Sequence, residues 1–149
     1  MKKDNGLTMI ALVIIIVVIG IIIYIGTQYA KEYMDNQKNE DIKAEMLVIQ
    51  GIITSIQNKH IVDENTNVLV GTNLVLDNNT TGYKISENFN KILLAQENAN
   101  LYILSTEDLK NNGLDNIKVD KEKFYIVDYN SGEIFYSLGI NGKYKLSDM

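Results

Sequence analysis

The chain has no cysteine, no proline, no tryptophan and no arginine in its 149 residues, and a single histidine. Without cysteine there is no disulfide, no thiol nucleophile and no thiolate metal site. Without proline the turns fall to glycine, of which there are 10, and to the abundant asparagine. All 14 basic residues are lysine, the net charge is −5, and no lysine run is dense enough to track a phosphate backbone. That composition points away from DNA and RNA and toward a well-hydrated acidic surface. No glycine-rich phosphate loop is present, and no Ser/His/Asp set can be assembled with a role for each member. Neither an enzyme nor a cofactor is expected, and no metal site.

Charge is also missing from one long stretch, and there the absence is informative. From Leu7 to Ile25 the chain runs 19 residues without an ionisable group other than Tyr24. As a helix that is roughly 28 Å, the thickness of a bilayer's hydrocarbon core. The run is apolar all round, so it suits lipid or a bundle of similar helices rather than the flank of a small domain. Its β-branched centre, Val13 to Ile19, is a poor helix in water, but an isolated strand in a bilayer cannot satisfy its backbone. The expected organisation is a polar leader at 1–6, a transmembrane helix at 7–26, an amphipathic continuation at 27–60 and a small α+β head at 61–149. Small residues Ala11, Gly20 and Gly26 are the expected packing points between such helices. The lipid bilayer is the first expected partner.

Beyond the membrane stretch the helix is expected to continue. Tyr29 and Tyr33 lie four apart, a same-face pair suited to the head-group level. After the polar Asp35–Asp41, residues Ile42, Met46, Ile49, Ile53 and Ile56 recur at alternating fours and threes. That is an amphipathic stripe, with Glu45, Gln50 and Gln57 mostly off it. His60 ends the stripe and is read as a helix-end residue. Leu7 to Lys59 as one helix would be roughly 80 Å long.

The remainder alternates short elements. Val68–Val70 and Leu74–Leu76 are apolar pieces punctuated by expected turns at Gly71–Thr72 and Asp77–Asn79. Two Asn-x-Thr matches begin at Asn78 and Asn79 and carry little weight. Ser86 is the expected cap of a helix reaching about Glu97, with Phe89, Ile92, Leu93 and Gln96 on one side. Leu101–Leu104 is an expected strand, and Ser105 begins a short helix closed by Gly113. Strands at 123–129 and 133–138 flank the Asn130-Ser131-Gly132 turn, and Asn141-Gly142 leads to a last strand at 143–146. Three or four antiparallel strands would offer one apolar face, and the Ile42–Ile56 stripe is its expected cover. Asp128, Asn130 and Glu133 alternate oxygens as a calcium loop does, but Gly132 falls where a ligand is needed, and the hairpin turn explains the same residues. Asp115, Asp120 and Glu122 are read as solvated loop acids.

Gly6-Leu7-Thr8-Met9-Ile10, after the short basic leader Met1–Asn5, resembles the signal of type IV prepilins and pseudopilins. The resemblance implies cleavage between Gly6 and Leu7 by a prepilin peptidase and N-methylation of Leu7. It implies a long N-terminal helix packed on a C-terminal antiparallel sheet, with the N-terminus cytoplasmic and the head outside. It also implies other pilin-like subunits as partners, in a type IV pilus, a competence pilus or a type II secretion pseudopilus. The family's pilins usually carry Glu at the fifth mature residue, where this chain has Ala11, which argues for a minor subunit rather than a bulk one. Glu107-Asp108-Leu109, Gly113-Leu114 and the Tyr125–Glu133 hairpin are similar to heads that follow such leaders in Gram-positive pilin-like proteins. The alternative is an uncleaved single-pass anchor presenting a binding domain outside the cell.

Overall fold

A computed structural model describes residues 4–62, 69–76 and 82–149, with the backbone alone for 4–8 and 60–62. The described chain is α+β. Helix α1 runs Asp4–Val62 without interruption. After it come strand β1 (Thr72–Asn73), helix α2 (Glu87–Leu94), strand β2 (Leu101–Leu104), helix α3 (Thr106–Asn111), strands β3 (Tyr125–Asp128), β4 (Glu133–Ile140) and β5 (Lys143–Lys145), and a 3-10 turn at Leu146–Asp148. The chain divides into two units, Met1–Glu40 and Asp41–Met149, and α1 contributes to both.

In the second unit the strands form one antiparallel sheet in the order β1-β2-β3-β4-β5. Sequential neighbours pair because each connection is short or returns over the sheet, which keeps the topology a meander. Both faces of this sheet are buried, where one was expected. Along β3, Tyr125 and Val127 point to the face covered by α1 and α3, while Ile126 points to the face covered by α2. Along β4, Ile134 and Tyr136 share the first face and Phe135 the second. The unbroken apolar runs Phe124–Val127 and Ile134–Tyr136 are the mark of strands covered on both sides.

Helix α1 meets the first face through the expected stripe. Met46, Ile49 and Ile53 are fully buried and Ile42 and Ile56 partly so. Each buried aliphatic side chain contributes about 1.5–3 kcal/mol. The polar residues beside the stripe make bonds of their own. Lys43 Nζ donates to the Met149 main-chain oxygen at 2.6 Å, Gln50 Nε2 to Gly132 O at 3.2 Å, and Gln57 Nε2 to Tyr129 O. Spaced by sevens, these three lie along one edge of the stripe. On the other edge, the Tyr125 hydroxyl donates to the Glu45 carboxylate, with Lys123 Nζ 3.8 Å away. Burial, then Glu45, pushes the Tyr125 hydroxyl far above its ordinary value.

The second face is aromatic. Phe89 of α2 stacks on Tyr144 at 5.2 Å and tilts against Phe124 at 6.3 Å, and Tyr83 meets Phe124 edge-on at 4.8 Å. Ser86 caps α2 by accepting from Phe89 N, and the helix ends at Leu94 rather than near Glu97. Ser105 and Asp108 form a reciprocal capping box on α3.

One correction concerns a turn. Gly71-Thr72 is the entry to edge strand β1, which brings the strand count to five. Gly71 has φ +106°, and a Cβ there would stand 2.8 Å from Ile103 O, so only glycine fits where β1 approaches β2. The Tyr129 hydroxyl holds this entry, accepting from Val70 N at 3.0 Å and donating to Val70 O at 2.9 Å. Asp77–Asn79 and both Asn-x-Thr starts lie outside the described residues. Asn141 and Gly142, both with positive φ, form the β4–β5 turn as expected. Among the described residues no buried side-chain nitrogen or oxygen lacks a hydrogen-bond partner.

Two outcomes follow from this packing. Ile53→Ala should destabilise the head by roughly 2–5 kcal/mol. Val48→Ala, on the opposite side of the same helix, should change it by about 0.5 kcal/mol or less. Urea unfolding followed by tyrosine fluorescence checks the pair. Burial also pushes Tyr129 up to about 12, from 10.0 in water. Its contribution is therefore complete below about pH 10 and fades as the pH rises toward 12, a loss of about 2 kcal/mol. Tyr129→Phe should flatten that alkaline fall in the urea midpoint.

Candidate functional site: the open surface of the long helix

The first unit contains no fold to support a pocket; its content is one helical surface. From Met9 to Ile25 every side chain is exposed, with Ile10 at 64%, Ile16 at 61% and Ile25 at 47%. Fourteen large aliphatic or Met residues of this stretch stand open. With about half of each side chain accessible, at roughly 1 kcal/mol apiece, they leave on the order of 10 kcal/mol of apolar transfer unrealised. That rivals the whole stability of an ordinary domain, a large apolar surface to leave in water. One helix of the described chain is long and apolar enough to cross a membrane.

From Met9 to Ile25 the surface carries no charged side chain. Its polar side chains satisfy themselves or sit at the ends: Thr27 Oγ1 donates to Tyr24 O at 2.8 Å, inside the helix. Tyr24, Tyr29 and Tyr33 are each about two-thirds exposed or more, at 67%, 70% and 70%, and lie at the edge where charge returns with Lys31. Rings with a polar tip suit a water–hydrocarbon boundary. Such a surface is suited to packing or insertion.

The residues singled out by sequence are distributed as follows. Gly6 and Leu7 lie in the opening turns of α1, where the backbone is helical. Ala11 is exposed, and a Cβ on Gly20 or Gly26 would meet nothing within 4 Å. At about 100° per residue, Ala11 and Gly26 fall within about 60° of each other, while Gly20 is about 180° from Ala11. The three do not form one packing strip. His60 is in the helix, with its side chain outside the described residues.

In the second unit, the calcium-like spacing resolves into a turn. Asp128 is buried, and its carboxylate accepts from Asn100 N at 2.8 Å, Asn130 N at 3.0 Å and Ser131 Oγ at 2.6 Å. Glu133 Oε1 accepts from Ile134 N and Ser147 N. Asp120, whose carboxylate accepts from Lys123 N and Glu122 N at 2.7 Å, is held below the ordinary carboxylate range by those two bonds. Glu122 pairs with Lys84. These acids shape loops.

A surface that the sequence reading passed over lies on the head half of α1. Ala44, Leu47, Val48 and Gly51 sit opposite the buried stripe, with Leu47 52% and Val48 50% exposed. The signal was present: two aliphatic residues at positions the stripe's own period turns outward.

The full chain is expected to float with lipid vesicles and to resist a urea wash. Ile16→Lys with Ile19→Lys raises the insertion cost by roughly 3 kcal/mol per lysine and should release much of it to the wash. No protein-family model, curated protein or solved structure matches this chain.

Proposed function

We propose that the protein is a prepilin-like subunit, anchored in the membrane by Leu7–Ile25 and cut between Gly6 and Leu7. What supports the reading is one uninterrupted helix with two different surfaces. Its first part is apolar and open on every side, and its later part lays a stripe of Met46, Ile49 and Ile53 on an antiparallel sheet. A helix of this kind anchors a head and polymerises through the same segment, which is the type IV pilin ground plan that the Gly6–Ile10 signal resembles. The leader stays on the cytoplasmic side and the head is carried outside.

The work of such a subunit is packing, and it requires no catalytic residue. Partners are the bilayer, a prepilin peptidase that takes the Gly6–Leu7 bond as substrate, and other pilin-like helices. Ala11 replaces the buried acid that would pair with a neighbour's terminal amine. The chain is therefore assigned to a minor position in a pilus or secretion pseudopilus, where that pairing is dispensable.

Gly6→Ala tests the assignment. Intact-mass measurement of the native protein is expected to show loss of Met1–Gly6, and Gly6→Ala is expected to retain it. If both carry the leader, the protein is an uncleaved anchor with an external binding domain instead.

A further inference from the structure

We propose that Asn141, in the β4–β5 turn, is a self-modification site of the folded head: the Gly142 main-chain nitrogen attacks its carboxamide, which is lost as ammonia and leaves aspartate or isoaspartate. The inference is independent of whether the leader is cut.

The reaction needs an asparagine followed by a residue with no Cβ to obstruct attack, an amide nitrogen free of hydrogen bonds, and a backbone able to open. Three Asn-Gly pairs occur, at 5–6, 112–113 and 141–142. Asn5-Gly6 lies where the backbone alone is described, which leaves two in the head to compare. At 112–113 both reacting groups are held at the end of α3. Gly113 N donates to Lys110 O at 3.0 Å, and Asn112 Nδ2 donates to Asp108 O at 2.8 Å. At 141–142 both are free. Among the described residues, the Gly142 nitrogen and the Asn141 carboxamide make no hydrogen bond, and both residues are exposed. The tip is also weakly held: the register shifts between Phe135 and Ile140, and beyond that shift Ile140 and Lys143 alone are paired. Asn141 has φ +51°, and a brief opening of the tip lets its side chain swing toward the next nitrogen. Neither turn residue is buried, so such an opening breaks few contacts.

The Gly142 nitrogen gives its proton to solvent and forms a bond to Asn141 Cγ. The Cγ–Nδ2 bond breaks, and the nitrogen leaves as ammonia with a proton returned by solvent. Water then opens the cyclic imide. Breaking its Cγ–N bond gives aspartate; breaking the bond to the Asn141 main-chain carbonyl carbon gives isoaspartate, with the chain running through the former side chain. Water is consumed, ammonia is released, and nothing is oxidised or reduced. The isoaspartate branch lengthens the main chain within a two-residue turn. β5 has little room to absorb that, since Tyr144 stacks on Phe89 at 5.2 Å and a Cβ on Gly139 would stand 3.0 Å from Lys143 O. The product therefore loosens the strand that closes this edge of the sheet.

The full-length protein in phospholipid vesicles, incubated at mildly alkaline pH and mapped by tandem mass spectrometry, tests this. Asn141 is expected to convert roughly ten-fold or more faster than Asn112, which must first give up two hydrogen bonds. In urea-unfolded chain the two should convert at similar rates, since both precede glycine. Asn141→Gly removes the carboxamide and suits a turn with positive φ at both positions. It should abolish conversion at the turn and keep the urea midpoint of the incubated protein from falling. The inference is overturned if Asn112 converts as fast as Asn141 in the folded protein. It is equally overturned if Asn141 stays intact there while converting in the unfolded chain.

Discussion

The structure of the head depends on one contact, the laying of Met46, Ile49 and Ile53 of α1 across β3 and β4. All three are at most 2% exposed, and they close over Tyr125, Val127, Ile134 and Tyr136. Remove that helix and the central strands lose the cover of one face. The contact is apolar in its middle and polar at both margins. Lys43, Gln50 and Gln57 reach main-chain oxygens on one side, and Glu45 reaches the Tyr125 hydroxyl on the other. Apolar burial supplies the attraction, and the directional bonds set the register of helix on sheet.

One helix thus carries two different surfaces. From Met9 to Ile25 its side chains are exposed and none is charged at neutral pH. Its later turns divide their circumference between a stripe that belongs to the sheet and the outward Leu47–Val48 face.

The helices were legible because their signals are local. The apolar run, the four-three stripe, the Ser86 and Ser105 caps and the Asn141-Gly142 turn each depend on residues close in sequence. The misreadings are all of one kind. Gly71-Thr72 looked like a turn, yet its glycine is demanded by Ile103 O across the β1–β2 gap. The second sheet face was overlooked, although Phe124–Val127 is apolar without alternation and α2 had a complementary Phe89 and Leu93. Asp128, by contrast, was read as part of the hairpin turn, and backbone amides and Ser131 take its oxygens there.

By itself the sequence determined the long helix, its apolar half, the buried stripe and most of the strands, because period and composition act over a few residues at a time. Tertiary structure alone decided that the sheet is covered on both faces, that the polar residues beside the stripe are bonded to Tyr125, to the β3–β4 turn and to Met149, and that Leu47, Val48 and Gly51 are left outside. Those outcomes depend on which surfaces meet across long sequence separations. A helix's period places residues on a face, but only the neighbour that arrives there decides whether the face is buried.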